Sequence, residues 1–151
     1  MLRDTYSNNQ RFKQGLDGIL YYYDMSRSLF TSTDRQTIDF AINHSNISIK
    51  KWMEVDSRIT SNNNSNLIKR KSIITCISVR AKKKVSDCIF KIRKDQLGSN
   101  IETITLKNQS YNIKENLSVP LSPNDILVSL LEVNSGKVDY PILSIEYTWV
   151  E

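Results

Sequence analysis

Apolar side chains in this chain recur at every second position, and almost nowhere with a helical repeat. The clearest case is DYPILSIEYTWVE at 139–151, where Pro141, Leu143, Ile145, Tyr147 and Trp149 alternate with Ile142, Ser144, Glu146, Thr148 and Val150. Strand side chains repeat every two residues, so this spacing predicts a strand with one wholly large, apolar face. Terminal segments usually fray. A segment this regular is expected to lie between two neighbours instead, as first and last strands do in Greek-key sandwiches.

The same period marks the rest of the chain. TIDFAIN puts Ile38, Phe40 and Ile42 on one face, and CIFKIRK puts Cys88, Phe90 and Ile92 on one face. SIITCISVRA and DILVSLLEV carry apolar groups on both faces, the pattern of strands covered on both sides. Turns are expected at AKKKVSD, DQLGSN, SPND and NSGK, and a loop at TSNNNSN. IETITL and QSYNI read as separate short strands joined by KN. Roughly eight or nine short strands with turn signals between them predict an all-β, antiparallel jelly-roll β-sandwich. It spans residues 20–151 and is preceded by a polar N-terminal arm at 1–19 with room for one helical turn. With 151 residues, 39% hydrophobic and 25% charged, the chain has enough material for one core and is not disordered by composition.

The chemistry of a catalytic site is missing from the sequence. His44 is the single histidine and sits in a predicted loop. Cys76 and Cys88 lie in two apolar runs and read as free, buried thiols on two strands. The carboxylates are scattered, and no glycine-rich phosphate loop is present. No enzyme activity, cofactor or metal is therefore expected. The net charge of +5 is concentrated in Lys69, Arg70 and Lys71 and in Arg80, Lys82, Lys83 and Lys84. These clusters have no aromatic residue beside them in sequence, so they read as lysines blocking strand edges rather than as a nucleic-acid surface. No membrane-spanning run and no signal-peptide stretch is seen, so neither nucleic acid nor membrane is an expected partner.

Two segments stand out as contact candidates. In the arm, Phe12 between Arg11 and Lys13 is the expected docking point. Three consecutive tyrosines follow, with Tyr21 and Tyr23 on one face of a strand and Tyr22 on the other; both core and interface suit them.

Three stretches in order, YYYDMSRSLFTSTDRQTIDFAIN, SIITCISVRAKKKVSDCIFKIRKDQ and NLSVPLSPNDILVSLLEVNSGKVDYPILSIEYTW, carry a resemblance. The matching positions are Asp24, Arg27 and Ser28; Ile92, Arg93, Lys94 and Asp95; Asn124, Asp125 and Leu127; and Tyr140, Pro141, Ile142, Ile145 and Trp149. From about Leu20 onward the chain resembles the small jelly-roll virion proteins of tailed bacteriophages, which serve as head fibres, capsid decorations or fibre-tip modules. It departs at Leu29 to Ser32, which reads LFTS where that family often has K-W-L-S.

The resemblance implies a homotrimer of the C1q and tumour-necrosis-factor type, without catalytic residues or cofactor, whose arm attaches to another virion protein such as the major capsid protein. Apolar groups on both faces of two strands add a physical reason for a trimer, since the surplus face needs a cover. The expected location is the virion, and the host cytoplasm during assembly. The alternative is a receptor- or carbohydrate-binding module of a phage fibre, with a host glycan as partner and Trp52 and Tyr111 as candidate contacts.

Overall fold

The computed structural model describes residues 3–7, 10–16, 18–55 and 66–151, with residues 3–7, 10 and 11 as backbone alone. Apart from Asn66, the TSNNNSN loop falls outside them. The described residues form eleven strands: β1 (Arg3–Ser7), β2 (Gln10–Gln14), β3 (Leu20–Asp24), β4 (Leu29–Ala41), β5 (Lys51–Trp52), β6 (Glu54–Val55), β7 (Ser72–Arg93), β8 (Asn100–Lys114), β9 (Val119–Leu121), β10 (Val128–Ser135) and β11 (Ile142–Val150). Every ladder between them is antiparallel.

β7 and β8 are long because each serves two layers. The first part of β7 lies between β11 and the end of β8; its second part lies between β10 and the start of β8. With β7 and β8 each counted as two strands, one layer runs β4, β11, β7, β8 and the other β5, β10, β7, β8. Numbered along the chain, the layers are 1-8-3-6 and 2-7-4-5. This is the interleaved order of a jelly roll, built as one antiparallel sheet curled over a single core.

The bends replace two expected breaks. Arg80 pairs with Tyr111 and Val85 with Gln109, so Ala81 to Lys84 bulge out opposite Ser110 alone. The AKKKVSD segment is thus a wide bulge inside β7, not a turn. Extra residues on one strand bend it and increase its twist, which lets the sheet fold over without ending. On the partner, Asn108 takes a φ of 54°, so IETITL and QSYNI are one kinked strand; Asn tolerates that left-handed conformation better than most residues. A true turn does occur at NSGK. There Gly136 has a φ of 79°, and a Cβ would lie 2.9 Å from Ser86 Oγ.

The core draws on both layers: Ile38 and Phe40 from β4, Ile77, Cys88 and Phe90 from β7, Leu106 from β8, and Leu143 and Ile145 from β11. β11 pairs with β4 on one side and β7 on the other, as its pattern demands. Its alternation persists to the end, with Tyr147 in the core and Trp149 packed against it, because the irregularities lie in its partners. Thr75 is an extra residue in β7 between the partners of Glu146 and Tyr147, and residues 32–34 are extra in β4 near Trp149. Beside these bulges Thr148 and Val150 are also buried and Trp149 is half-buried, with the Arg70 guanidinium 4.7 Å from its ring centre.

Three other expectations change. Among the described residues before Leu20 there is no helical turn; β1 and β2 form a hairpin that joins the sheet through β3. Cys76 and Cys88 lie on the same strand, β7, not on two. The surplus apolar groups of β7 and β10 are covered within one chain. Ile73 is 3% exposed opposite Pro120 and Thr148, and Leu130 is 1% exposed opposite Trp52. One edge of both layers is β8 folded on itself, sealed where Lys114 Nζ meets Glu102 Oε1 at 3.0 Å and Asn112 Nδ2 donates to the Thr105 carbonyl at 2.8 Å. Charged and side-chain-bonded edges resist pairing with other chains.

Ile145 is fully buried at the centre of β11. Ile145→Ala should cost ~2–5 kcal/mol in urea unfolding, while Trp149→Ala should cost clearly less. Equal losses would show that half-buried Trp149 is as deeply committed to the core as Ile145.

Candidate functional site

The residues that carry the phage-protein resemblance lie mostly at turns, and their side chains build those turns. Asp24 Oδ1 accepts from the Ser26 and Arg27 backbone N–H groups, Arg27 Nη1 donates to Asp24 Oδ2 at 2.6 Å, and Ser28 follows at a φ of 54°. Arg27 also reaches across the sheet edge, with Nε and Nη2 donating to the Leu117 carbonyl at 3.1 and 3.0 Å. Asp95 Oδ1 accepts from Leu97 N–H in the β7–β8 turn, while Asp125 accepts from Ser122 N–H and pairs with Lys94 at 3.1 Å. Asn124 and Tyr140 take positive φ values of 72° and 48°. These positions are therefore structural: they set the corners of the jelly roll.

Burial alone would raise the Asp24 carboxyl. Hydrogen bonds from Ser26 and Arg27 and the charge of Arg27 outweigh it and hold Asp24 below the usual carboxylate range.

The tyrosines divide as strand geometry requires. Tyr21 is buried, and Tyr23 meets Phe30 edge-on at 5.2 Å between ring centres. Tyr22 faces the other side, in register between Phe12 and Thr31. The docking trio is split by the same rule. Phe12 lies beside Tyr22, whereas the Lys13 ammonium sits 4.1 Å from the Phe30 ring centre; the Arg11 side chain is outside the described residues.

The basic clusters have aromatic neighbours that the sequence separates from them. Arg80 is opposite Tyr111, and Lys82 Nζ lies 5.6 Å from the Tyr140 ring centre. Trp52 is half-buried with the Arg93 guanidinium 5.9 Å from its ring, while Tyr111 is exposed. His44 is exposed, and its carbonyl accepts from Tyr140 N–H at 2.9 Å. Among the described residues no group of three His, Cys, Asp or Glu side chains is placed to hold a metal.

A site unmarked in the sequence lies on the outer face of the first layer. It is an open groove of about 410 Å³, within the ~300–1,000 Å³ of small-ligand sites. Its floor crosses β3, β4, β11 and β7 where the bulges of β4 and β7 beside β11 fall. Thr31, Ser32 and Thr148 line it and are 2, 3 and 6% exposed. Thr148 Oγ1 donates toward the Ser32 and Asp34 carbonyls, and Asp34 N–H donates to Ser32 Oγ. The Thr31 hydroxyl is buried with no hydrogen-bond partner among the described residues. Above the floor Arg35 Nη1 pairs with Glu146 Oε1 at 2.5 Å, and Tyr22 and Arg27 form one side. Thr31 falls in the Leu29–Ser32 segment where the chain departs from the family pattern. The set is drawn from several strands far apart in sequence, which is why reading each segment by its own period did not find it.

Cys76 also lines the groove. Burial pushes its thiol up, the Glu146 and Glu115 carboxylates add to this, and Arg35 opposes it. Burial pushes the Cys88 thiol up to about 11. Thiolates are the reactive form, so a thiol reagent at neutral pH should modify Cys76 slowly and Cys88 only on unfolding. Rapid reaction of both in the native protein would contradict this placement.

The lowered Asp24 carboxyl gives a pH test. A carboxyl depressed on folding stabilises fully above its unfolded pKa, ~3.9, and loses that contribution as pH falls through the lower folded value. Asp24→Asn should therefore destabilise the protein at neutral pH, with the gap to wild type narrowing below about pH 4. Denaturant unfolding across pH measures it; a gap independent of pH would refute the role.

No protein-family model matches the chain, and no curated protein sequence does either. Among solved structures it is similar to PRD1 vertex protein P5, at 9% identity and a TM-score of 0.47, over 99% of this chain and 82% of that one. The Tobacco streak virus coat protein is similar at 9% identity and 0.42, over 78% and 88% of the two chains. A protein of Bacillus endospore appendages, described as disulfide-linked pili, is similar at 12% identity and 0.40, over 77% and 91%. The likeness is one of coarse all-β, jelly-roll-like outline and carries no functional argument.

Proposed function

We propose that the chain is a non-enzymatic structural protein of a bacteriophage virion, a head-fibre or capsid-decoration subunit that works as a homotrimer and docks onto another virion protein through its N-terminal hairpin. The observation that carries the docking is the hairpin's place in the sheet. β1 pairs with β2 alone, and β2 joins the body only through β3. Among the described residues, the outer edge of β1 has no strand beside it. An open edge offers backbone donors and acceptors to a strand of another chain. The opposite edge, β8, is sealed by its own side chains. The asymmetry suits a protein that joins a partner at one end only.

The trimer draws on the phage-protein resemblance of residues 20–151. The apolar faces of β7 and β10 no longer argue for it, because one chain covers them. Removing residues 1–19 should leave a cooperative melt and a trimer by light scattering, yet prevent incorporation into particles. A monomer at micromolar concentration, or normal incorporation of the truncated protein, would overturn the corresponding half of this reading.

A further inference from the structure

We infer that the groove on the outer face of the first layer is a binding site for a neutral oligosaccharide. The inference rests on the groove alone and holds whether or not the hairpin docks on a virion.

Three observations lead there. The first is the orphan hydroxyl. Thr31 Oγ1 lines the groove, is buried, and has no hydrogen-bond partner among the described residues. An unsatisfied buried hydroxyl costs free energy that a molecule seated in the groove recovers. The second is the architecture of the floor. The bulge at residues 32–34 of β4 and the one at Thr75 of β7 lie beneath it, and Thr31, Ser32 and Thr148 bring three buried hydroxyl-bearing side chains to its lining. Bulges are concentrated where a sheet must aim side chains at a task.

The third is charge. Arg27 is committed to Asp24 and to the Leu117 carbonyl. The remaining ionic groups are Arg35, Glu146 and Glu115. That set holds no surplus of positive charge for a phosphate or a carboxylate, and the predominantly polar walls offer little to a lipid. It does present both donors and acceptors at close spacing. A sugar hydroxyl is both at once, and so is the Thr31 hydroxyl that awaits it. The Arg35–Glu146 pair is exposed on the arginine side. The bond uses one guanidinium nitrogen and one carboxylate oxygen, so the remaining donors and acceptor of the pair can bond to vicinal hydroxyls. The Tyr22 ring at the margin supplies the flat apolar surface that a pyranose face stacks against.

The test uses the full chain on an array of neutral and sialylated glycans, followed by calorimetric titration of the best-bound neutral glycan. Thr31→Val keeps the side-chain shape and removes only the unpartnered hydroxyl. It should weaken binding about tenfold, the equivalent of one hydrogen bond, and leave thermal stability unchanged or raised. Glu146→Gln should weaken binding as well, whereas Trp52→Ala, on the other layer, should not. Bound glycan should also slow alkylation of Cys76. Absence of binding to any neutral glycan at millimolar concentration would overturn the inference. So would a preference for sialylated glycans, or an affinity that Thr31→Val leaves untouched.

Discussion

The structure depends on one strand being held from both sides. β11 bonds to β4 along one edge and to β7 along the other, and those two strands have no ladder with each other. Without β11 the first layer is two unconnected pieces. Its inward residues, Leu143 and Ile145, are fully buried and pack with Ile38 and Phe40 of β4 and Ile77 of β7. A single strand thus supplies both the backbone bonding and the apolar contact that join the N-terminal part of the sheet to the rest. Each residue there carries two kinds of interaction whose loss is cooperative.

The long strands follow from the same constraint. A sheet centred on β11 closes over a core only if other strands cross from one layer to the next. β7 and β8 do so at Ala81–Lys84 and at Asn108, and the price in broken ladder bonds falls where lysines and asparagine meet water. The turn residues then fix the corners. Asp24, Asp95 and Asp125 each use a carboxylate to satisfy backbone N–H groups that strands leave unpaired. This gives the turn positions of the sequence pattern a physical meaning, since they are where the chain must reverse.

Strand identity was legible wherever one face is core and the register is unbroken: Ile38, Phe40 and Ile42, then Cys88, Phe90 and Ile92, then Leu143 and Ile145 all lie inward as their spacing predicts. Bulges were not legible. AKKKVSD has turn composition because bulge residues and turn residues share exposure, so Lys82 to Lys84 look alike in either. The polar hairpin of β1 and β2 carries no alternation and gave no strand signal. The groove was invisible for a further reason. Thr31, Cys76 and Glu146 are distant in sequence and ordinary in type, and only the pairing of β11 with β4 and β7 brings them together.

The central place of β11 has a consequence for how the domain is made. β11 is the last strand of the sheet to leave the ribosome, yet β4 and β7 need it before either has a partner on that side. While synthesis proceeds, both must wait with an open, β-branched edge, and only ladders that do not use β11 can form, those of β4 with β3 and β6 and of β7 with β8, β9 and β10. Sheets assembled from such distant segments fold slowly and expose apolar strands meanwhile. During that interval the first layer is most open to capture by another nascent copy, so slower translation through β8–β10 would lengthen the hazard rather than relieve it.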